Sequence, residues 1–384
     1  MSAQSHFLRS VMVITLGMSI CNRLFWGCHI AIVSGILVAM NTSAATFVYV
    51  GHADSSDVYV LQLDQRTGDL TLVQKVPIPG VVTAGTSTPM AVSPDRRFIY
   101  VGTRGEPKIA AGFAIDPKSG RLQHVASGPL ADSMAYIVMD RTGRFLLGAS
   151  YPGNKITVNL IGPPGIVQSP QQVLTNYPNA HSILADAGNR HVLVATLCDN
   201  RLNVFNFDAA AGKLSPNTRA SVSMKEKTGP RHFAFHPNGR LVYVLGELDG
   251  TIHVMDYDAS SGQLTEKQIV SALPPHFSGT PSAADLHVTP DGKFLYGSER
   301  TSSTLAGFKV NEANGMLTPI GSVATEKTPR GFNIDPSGRY LLAVGQLSHQ
   351  MSSYRIDAAS GALTKLKEYP MGRNPNWVEI IDLP

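Results

Sequence analysis

The stretch "GPRHFAFHPNGRLVYVLGELDG", residues 229–250, reads as a strand, a tight turn at His236–Arg240 and a second strand. One hairpin would say little, but its turn recurs. It appears as "SPDRRFIYVG" from Ser93, "DRTGRFLLGA" from Asp140, "DAGNRHVLVA" from Asp186, "TPDGKFLYGS" from Thr289 and "DPSGRYLLAV" from Asp335, at intervals of 46 to 53 residues. A second turn interleaves with it: "DQRTGDL" from Asp64, "DPKSGRL" from Asp116, "DAAAGKL" from Asp208, "DASSGQL" from Asp258, "NEANGML" from Asn311 and "DAASGAL" from Asp357. A degraded copy, "IGPPGIV" around Gly165, fills the one gap in that series.

Two hairpins per unit make four strands, and a period near 50 residues is that of a propeller blade. The ends supply the missing copy of the first hairpin in halves. "TFVYVG" from Thr46 matches its second strand and "NPNWVEI" from Asn374 its first. The fold expected is therefore all-β, a seven-bladed β-propeller of four-stranded blades closed by pairing of the N- and C-terminal strands, which leaves no open sheet edge. A pair of β-sandwiches is the structural alternative, and the regular period counts against it.

Residues 1–45 differ from the rest. They hold Arg9 and Arg23, no Asp or Glu, the apolar runs "VMVITLGMSI" and "AIVSGILVAM", and then "NTSAA". This reads as an export signal cleaved near Ala45, ahead of a propeller domain at 46–384. The second apolar run is about a dozen residues, short of the roughly 20 that span a bilayer. The segment is long for a signal, and a start at Met12 or Met18 would shorten it without changing the export reading. A periplasmic location is expected, or a cytoplasmic one if the segment is a mis-assigned start.

Without that segment, 30 basic residues face 28 acidic ones with no basic run, which gives nucleic acid no footprint as a partner. Cys21 and Cys28 fall in the signal and only Cys198 remains, so no internal disulfide is expected. No Cys/His spacing suggests a metal, and no cofactor is expected. A monomer that needs no membrane after signal cleavage is the simplest organisation.

Strand parity sorts the polar residues onto two faces. His236 and Arg240 belong to the turn face. Six residues before the turn proline, at the entry to the innermost strand, stand Thr88, Ala135, His181, Arg231, Ala284, Arg330 and Asn376; ten residues after it stand Arg104, Tyr151, Leu197, Glu247, Arg300 and Gln346. Both positions open on the other face, beside the central channel. Positions that hold Ala or Leu in some blades and His, Arg, Glu or Gln in others mark a specialised mouth.

Arginines there suit carboxylate or phosphate, and His181 or Glu247 suits proton transfer. No serine elbow or phosphate-cradling glycine loop competes. The bland reading pairs Arg231 and Arg330 with Glu247 and Asp285 as an inter-blade ring, makes His181 a satisfied core histidine, and leaves Arg104 and Arg300 as rim charges. Tyr151 and Cys198 read as packing residues, while His287 and His349 are undecided.

"GPRHFAFHPNGRLVYVLGELDGTIHV", "AADLHVTPDGKFLYGSERT" and "TPRGFNIDPSGRYLLAVGQLSHQ" resemble the propeller-type 6-phosphogluconolactonases over about Phe47 to Val378. The family's PRH-F-HP motif falls on Pro230–Pro237, its EL on Glu247 and Leu248, its HS on His181 and Ser182, and its DRT on Glu299-Arg300-Thr301. Gly246 stands where the family has asparagine, and an export signal is unusual for it. The resemblance implies hydrolysis of a small anionic or polyhydroxy sugar lactone. His181, Glu247, Arg231 and Arg330 would be catalytic, and Arg300, His232, Asp285, Gln346 and Arg104 would bind substrate. An exported gluconolactonase or a carboxymuconate-type lactonising enzyme is the alternative activity. A non-catalytic exported propeller that binds protein or glycan is the alternative of another class, and it would spread these residues over a broad rim.

If residues 1–45 are an export signal, N-terminal sequencing should recover a mature chain beginning near Thr46 from outside the cytoplasm. An intact Met1 on soluble cytosolic protein would overturn that reading.

Overall fold

The structure, a computed structural model, describes residues 44–384, so the expected export signal lies outside the described residues except for Ala44 and Ala45. Short apolar runs between Asp/Asn/Gly turns form 28 strands, β1 to β28, arranged as seven four-stranded antiparallel sheets. Blade 1 joins the two ends of the chain: β28 (Pro375–Leu383) is innermost, followed by β1 (Ala45–His52), β2 (Asp57–Leu63) and β3 (Leu70–Pro77). Blades 2 to 7 take the other strands four at a time. Their innermost strands are β4 (Met90–Val92), β8 (Met134–Met139), β12 (Ala180–Ala185), β16 (Pro230–Phe235), β20 (Ala283–Val288) and β24 (Pro329–Ile334). The split hairpin closes as the sequence implies, with Val48 opposite Ile380 and Val50 opposite Val378. β28 lies beside both β4 and β24, which completes the ring.

The core lies between blades. Phe47, Tyr49, Val58 and Val60 of blade 1 face Ile99, Val101, Ala111 and Phe113 of blade 2, and similar clusters fill the other junctions. Second strands such as β17 (Leu241–Gly246) are buried throughout, whereas outermost strands such as β3 are buried at only two of their eight residues. This is the gradient expected when both faces of a sheet are covered near the axis and water reaches the rim.

The interleaved turn shows why its glycine recurs. Its Asp or Asn accepts backbone N–H bonds one turn ahead, as Asp116 Oδ1 does from Lys118 and Ser119. The glycine follows with φ of 65° at Gly120 and 63° at Gly212, a backbone region that side chains disfavour. It also lies under a ring of the preceding blade. A Cβ on Gly120 would fall 2.3 Å from Phe47, and one on Gly212 would fall 2.1 Å from Phe145. The same seat joins Phe98 to Gly165, His191 to Gly262, Leu241 to Gly315, Phe294 to Gly361 and, across the closure, Tyr340 to Gly68.

Because β1 is the second strand of blade 1, deleting Thr46–Gly51 should expose unpaired edges on β28 and β2 and drive aggregation. Size-exclusion chromatography and thermal unfolding check this; a soluble, cooperatively folding deletion would contradict the closure.

Candidate active site

Six innermost strands carry one extra residue where they enter the channel. The register slips between Met134 and Tyr136, Ala180 and Ser182, Pro230 and Phe233, Ala283 and Leu286, Pro329 and Gly331, and opposite Gly51/His52 on β28. A bulge of this kind re-aims side chains. The sequence-selected positions Ala135, His181, Arg231, Ala284, Arg330 and Asn376 all sit in these bulges. Neighbouring entries are tied together: Ser182 Oγ donates to Arg231 O at 2.6 Å, Arg231 Nη1 donates to Ala284 O, and Thr88 N donates to Asn376 Oδ1 at 2.8 Å.

Glu247 is the hub of the mouth. Its Oε2 lies 2.8 Å from Arg231 Nε and its Oε1 accepts from Arg300 Nη2 at 2.8 Å. The Arg231 Nε contact is an ion pair without hydrogen-bond alignment. Burial alone would raise the Glu247 pKa, but the two guanidiniums outweigh it and hold the carboxyl below its usual range. Arg300 is aimed by its loop: Glu299 Oε1 accepts from Ser282 N at 2.7 Å, and Ser282 O in turn accepts from Arg300 Nε at 2.9 Å.

Two further arginines have no carboxylate partner among the described residues. Arg104 reaches only Ser133 Oγ and Ser87 Oγ, at 3.4 and 3.3 Å. Arg330 makes no hydrogen bond or ion pair among the described residues, and burial together with Arg231, Arg300 and Arg104 lowers its pKa well below the usual value. The mouth thus gathers four guanidiniums around one carboxylate. A surplus of desolvated cation of that size fits an anionic ligand.

His181 is buried in this cluster, in a T-shaped contact with Tyr151 at 5.7 Å between ring centroids. Burial, then Arg231, His232, Arg330 and Arg104, hold its pKa well below 6.5, so the ring is neutral. Its Nδ1 is buried without a partner.

One step down the channel is a second layer. His232, Tyr136 and Trp377 meet edge-to-face, with centroids 5.2 to 6.1 Å apart, and form an aromatic floor. His232 lies 5.3 Å from His181 and donates from Nδ1 to Asp285 Oδ1 at 2.7 Å. Asp285 Oδ2 lies 3.4 Å from His287 Nε2 and accepts from Phe332 N at 3.2 Å. Beneath the floor is a cavity of about 250 Å³ lined in part by His287, Asn333 and Glu379. Burial pushes the Glu379 carboxyl up to about 7, although Trp377 Nε1 donates to it at 2.8 Å.

Of the residues selected from sequence, the structure therefore gathers His181, Arg231, Glu247, Arg300, Arg330 and Arg104 at the mouth, with His232 and Asp285 directly below. Gln346 is not joined to them; it donates to Asn374 Oδ1 at 2.8 Å. The inter-blade ring forms in part, through Arg231 and Arg300 on Glu247, but Asp285 serves two histidines and not Arg330. Tyr151 packs against His181, whereas Cys198 is exposed and does not serve as a packing residue. His236 and Arg240 lie apart in their turn, where the His236 ring contacts Gly292 O.

Sequence reasoning missed Tyr136, Trp377 and Glu379 and left His287 undecided. The signal was present: Tyr136, His232, Asp285 and Trp377 each follow a bulge residue by one, and His287, Asn333 and Glu379 follow by three. Among the described residues no cluster of three or more His, Cys, Asp or Glu could hold a metal ion.

A family model described as lactonase, 7-bladed beta-propeller, matches residues 47–380. The chain is 40% identical over 333 residues to a 6-phosphogluconolactonase of Yersinia pestis (strain Pestoides F), covering 87% of this chain and 97% of that one. It is 42% identical over 334 residues to a 6-phosphogluconolactonase of Serratia proteamaculans (strain 568), covering 87% and 98%. Among solved structures, the periplasmic gluconolactonase of Pseudomonas aeruginosa superposes with a TM-score of 0.80 at 25% identity, over 88% of this chain and 100% of that one.

The buried imidazoles make stability depend on pH. Burial and Arg231 push the His232 pKa down to about 4, against about 6.5 in an unfolded chain. Its contribution is fully present above about pH 6.5 and lost as pH falls towards 4, because the unfolded chain binds the extra proton first. His181 acts with the same sign. His287, which Asp285 raises against the effect of burial, acts oppositely and loses its contribution as pH rises through its folded value. Calorimetric Tm should therefore drop between pH 6.5 and 4, with a shallower slope in His232→Phe; equal slopes would refute the assignment.

Proposed function

Because the chain belongs to the lactonase family of seven-bladed β-propellers, we propose that it hydrolyses a sugar 1,5-lactone to the aldonic acid, a phosphorylated lactone fitting best. The observation that carries this is the mouth itself: four guanidiniums around a neutral histidine, two of them without a carboxylate partner. Their surplus charge suits a substrate that brings a phosphate and develops a further negative charge during attack on its carbonyl.

Of the two candidate bases, His181 is the better placed. Both oxygens of Glu247 face guanidiniums, and its lowered pKa makes it a weak proton acceptor. Glu247 orients Arg231 and Arg300. His181 is neutral at pH 7 and takes the proton of a water attacking the lactone carbonyl. Arg330 stabilises the oxyanion. Arg104 and Arg300 hold the distal anionic group. One base and one oxyanion donor, worth roughly 10² to 10³ each, are enough for an ester that already hydrolyses slowly in water.

A plain aldonolactone is the second reading. It is supported by the exported character of residues 1–45 and by the likeness to a protein named periplasmic gluconolactonase. That same likeness supports a periplasmic location. Among the described residues no helix is long and apolar enough to cross a membrane. Since every blade is completed within one chain, a monomer suffices, and the near-balanced charge supports a small molecule over nucleic acid as partner.

A panel of phosphorylated and plain sugar lactones, followed by acid release, tests the proposal. Arg330→Ala should lower kcat/KM by about 10² to 10³, as loss of an oxyanion donor does, and Glu247→Gln should lower it by releasing two arginines. His236→Ala and Arg240→Ala, on the turn face, should leave turnover unchanged. No turnover of any lactone by the wild type would refute the activity, and faster turnover of plain than phosphorylated lactones would favour the second reading.

A further inference from the structure

Two buried ring nitrogens in this site have no partner among the described residues: Nδ1 of His181 and Nε2 of His232. They belong to rings whose centroids are 5.3 Å apart at an interplanar angle of 60°. Buried polar atoms are nearly always satisfied, so each orphan needs a reason. The chemistry of the two is complementary. Asp285 Oδ1, 2.7 Å from His232 Nδ1, accepts that nitrogen's proton, which leaves neutral His232 with a bare lone pair on Nε2. A His181 that takes a proton on Nε2 must carry its own hydrogen on Nδ1. An orphan donor and an orphan acceptor thus belong to neighbouring rings.

We propose that His232 and Asp285 are positioning residues for His181, forming a His181–His232–Asp285 relay whose central hydrogen bond, His181 Nδ1–H to His232 Nε2, closes as His181 becomes charged. The proposal rests on the lactonase reading and deepens it. As the water oxygen bonds to the lactone carbonyl carbon, its O–H breaks and the proton passes to His181 Nε2, while the carbonyl π pair moves onto oxygen. The imidazolium then donates from Nδ1 to His232. On collapse, the ring C–O bond breaks with its electron pair going to the departing oxygen, which takes the proton back from His181.

The surroundings explain why such support is needed. Arg231, Arg330 and Arg104 oppose a positive His181, and Tyr151 meets it only through a T-shaped ring contact. His232 is flanked by the Tyr136 and Trp377 rings and by the charges of Arg231, Arg330 and Asp285. Asp285 is the carboxylate in direct contact with His232, and His287 with Phe332 N holds its other oxygen in place. The logic is that of a base oriented by a carboxylate, with a second imidazole inserted between them.

The test compares wild type with Asp285→Asn and His232→Phe on a sugar lactone. In Asp285→Asn the amide can donate to His232 Nδ1 and drive the proton to Nε2, turning the acceptor into a donor. The expected result is a fall in kcat of at least about 10²-fold, towards the roughly 10⁴ of comparable carboxylate-to-amide changes, with KM little altered. The acid limb of the pH–kcat profile should move to lower pH in both variants. Wild-type kcat and pH profile per folded molecule in both would overturn the relay. Should the variants fail to fold, ¹⁵N NMR of the wild-type imidazoles decides: His232 protonated on Nδ1 supports it, and protonation on Nε2 overturns it. A wild type that turns over lactones while the variants lose nothing removes the relay alone, whereas a wild type without lactone turnover removes the functional reading and the relay with it.

Discussion

The contact on which the molecule depends is the seat of a turn glycine beneath the ring or side chain that opens the preceding blade's second strand. It is made seven times, and the last instance, Gly68 under Tyr340, joins blade 1 to blade 7. Neither partner has room to give, since any Cβ would fall well inside van der Waals distance. The repeat therefore holds the angle between neighbouring sheets constant. Constant angles let seven blades close without a gap, and closure brings seven strand entries to one axis.

On that frame, chemistry is concentrated by breaking the repeat's symmetry at its centre. The bulges present one side chain per blade to the mouth, and the next two channel positions follow by strand alternation. Blades that keep Ala at the entry make space, and blades 4, 5 and 7 fill it with His181, Arg231 and Arg330. Loop residues from blades 2, 5 and 6 add Arg104, Glu247 and Arg300. Because backbone and side-chain hydrogen bonds tie adjacent entries together, the cations are held close despite their mutual repulsion, a cost that an anionic ligand would relieve.

Much of this was legible in the sequence because it repeats. The two turn signals, Asp or Asn followed by Gly, revealed the blades, and a fixed offset from the turn found Arg231, His181 and Glu247. The roles were less legible. Nothing in one chain's letters says that Glu247 spends both oxygens on guanidiniums, or that Asp285 turns towards His232 and not Arg330, since both depend on side-chain directions across blades. The floor was missed for a different reason. A bulge adds a residue and puts the entry residue and its successor in adjacent channel layers, so a reading limited to one position per blade passes over Tyr136 and Trp377.

The innermost strand of blade 1 is also the last of the 28 described strands in chain order. β28 pairs with β1 across more than 300 residues of chain, as the bond from Thr46 Oγ1 to Asp382 Oδ1 at 2.6 Å illustrates, and it also carries Trp377 and Glu379 into the channel. Ring closure and completion of the channel floor are consequently a single event that cannot precede β28. A chain still emerging from a ribosome is left open at its first blade until β28 follows. The long-range pairing that forms slowly is thereby withheld until both partner strands are present.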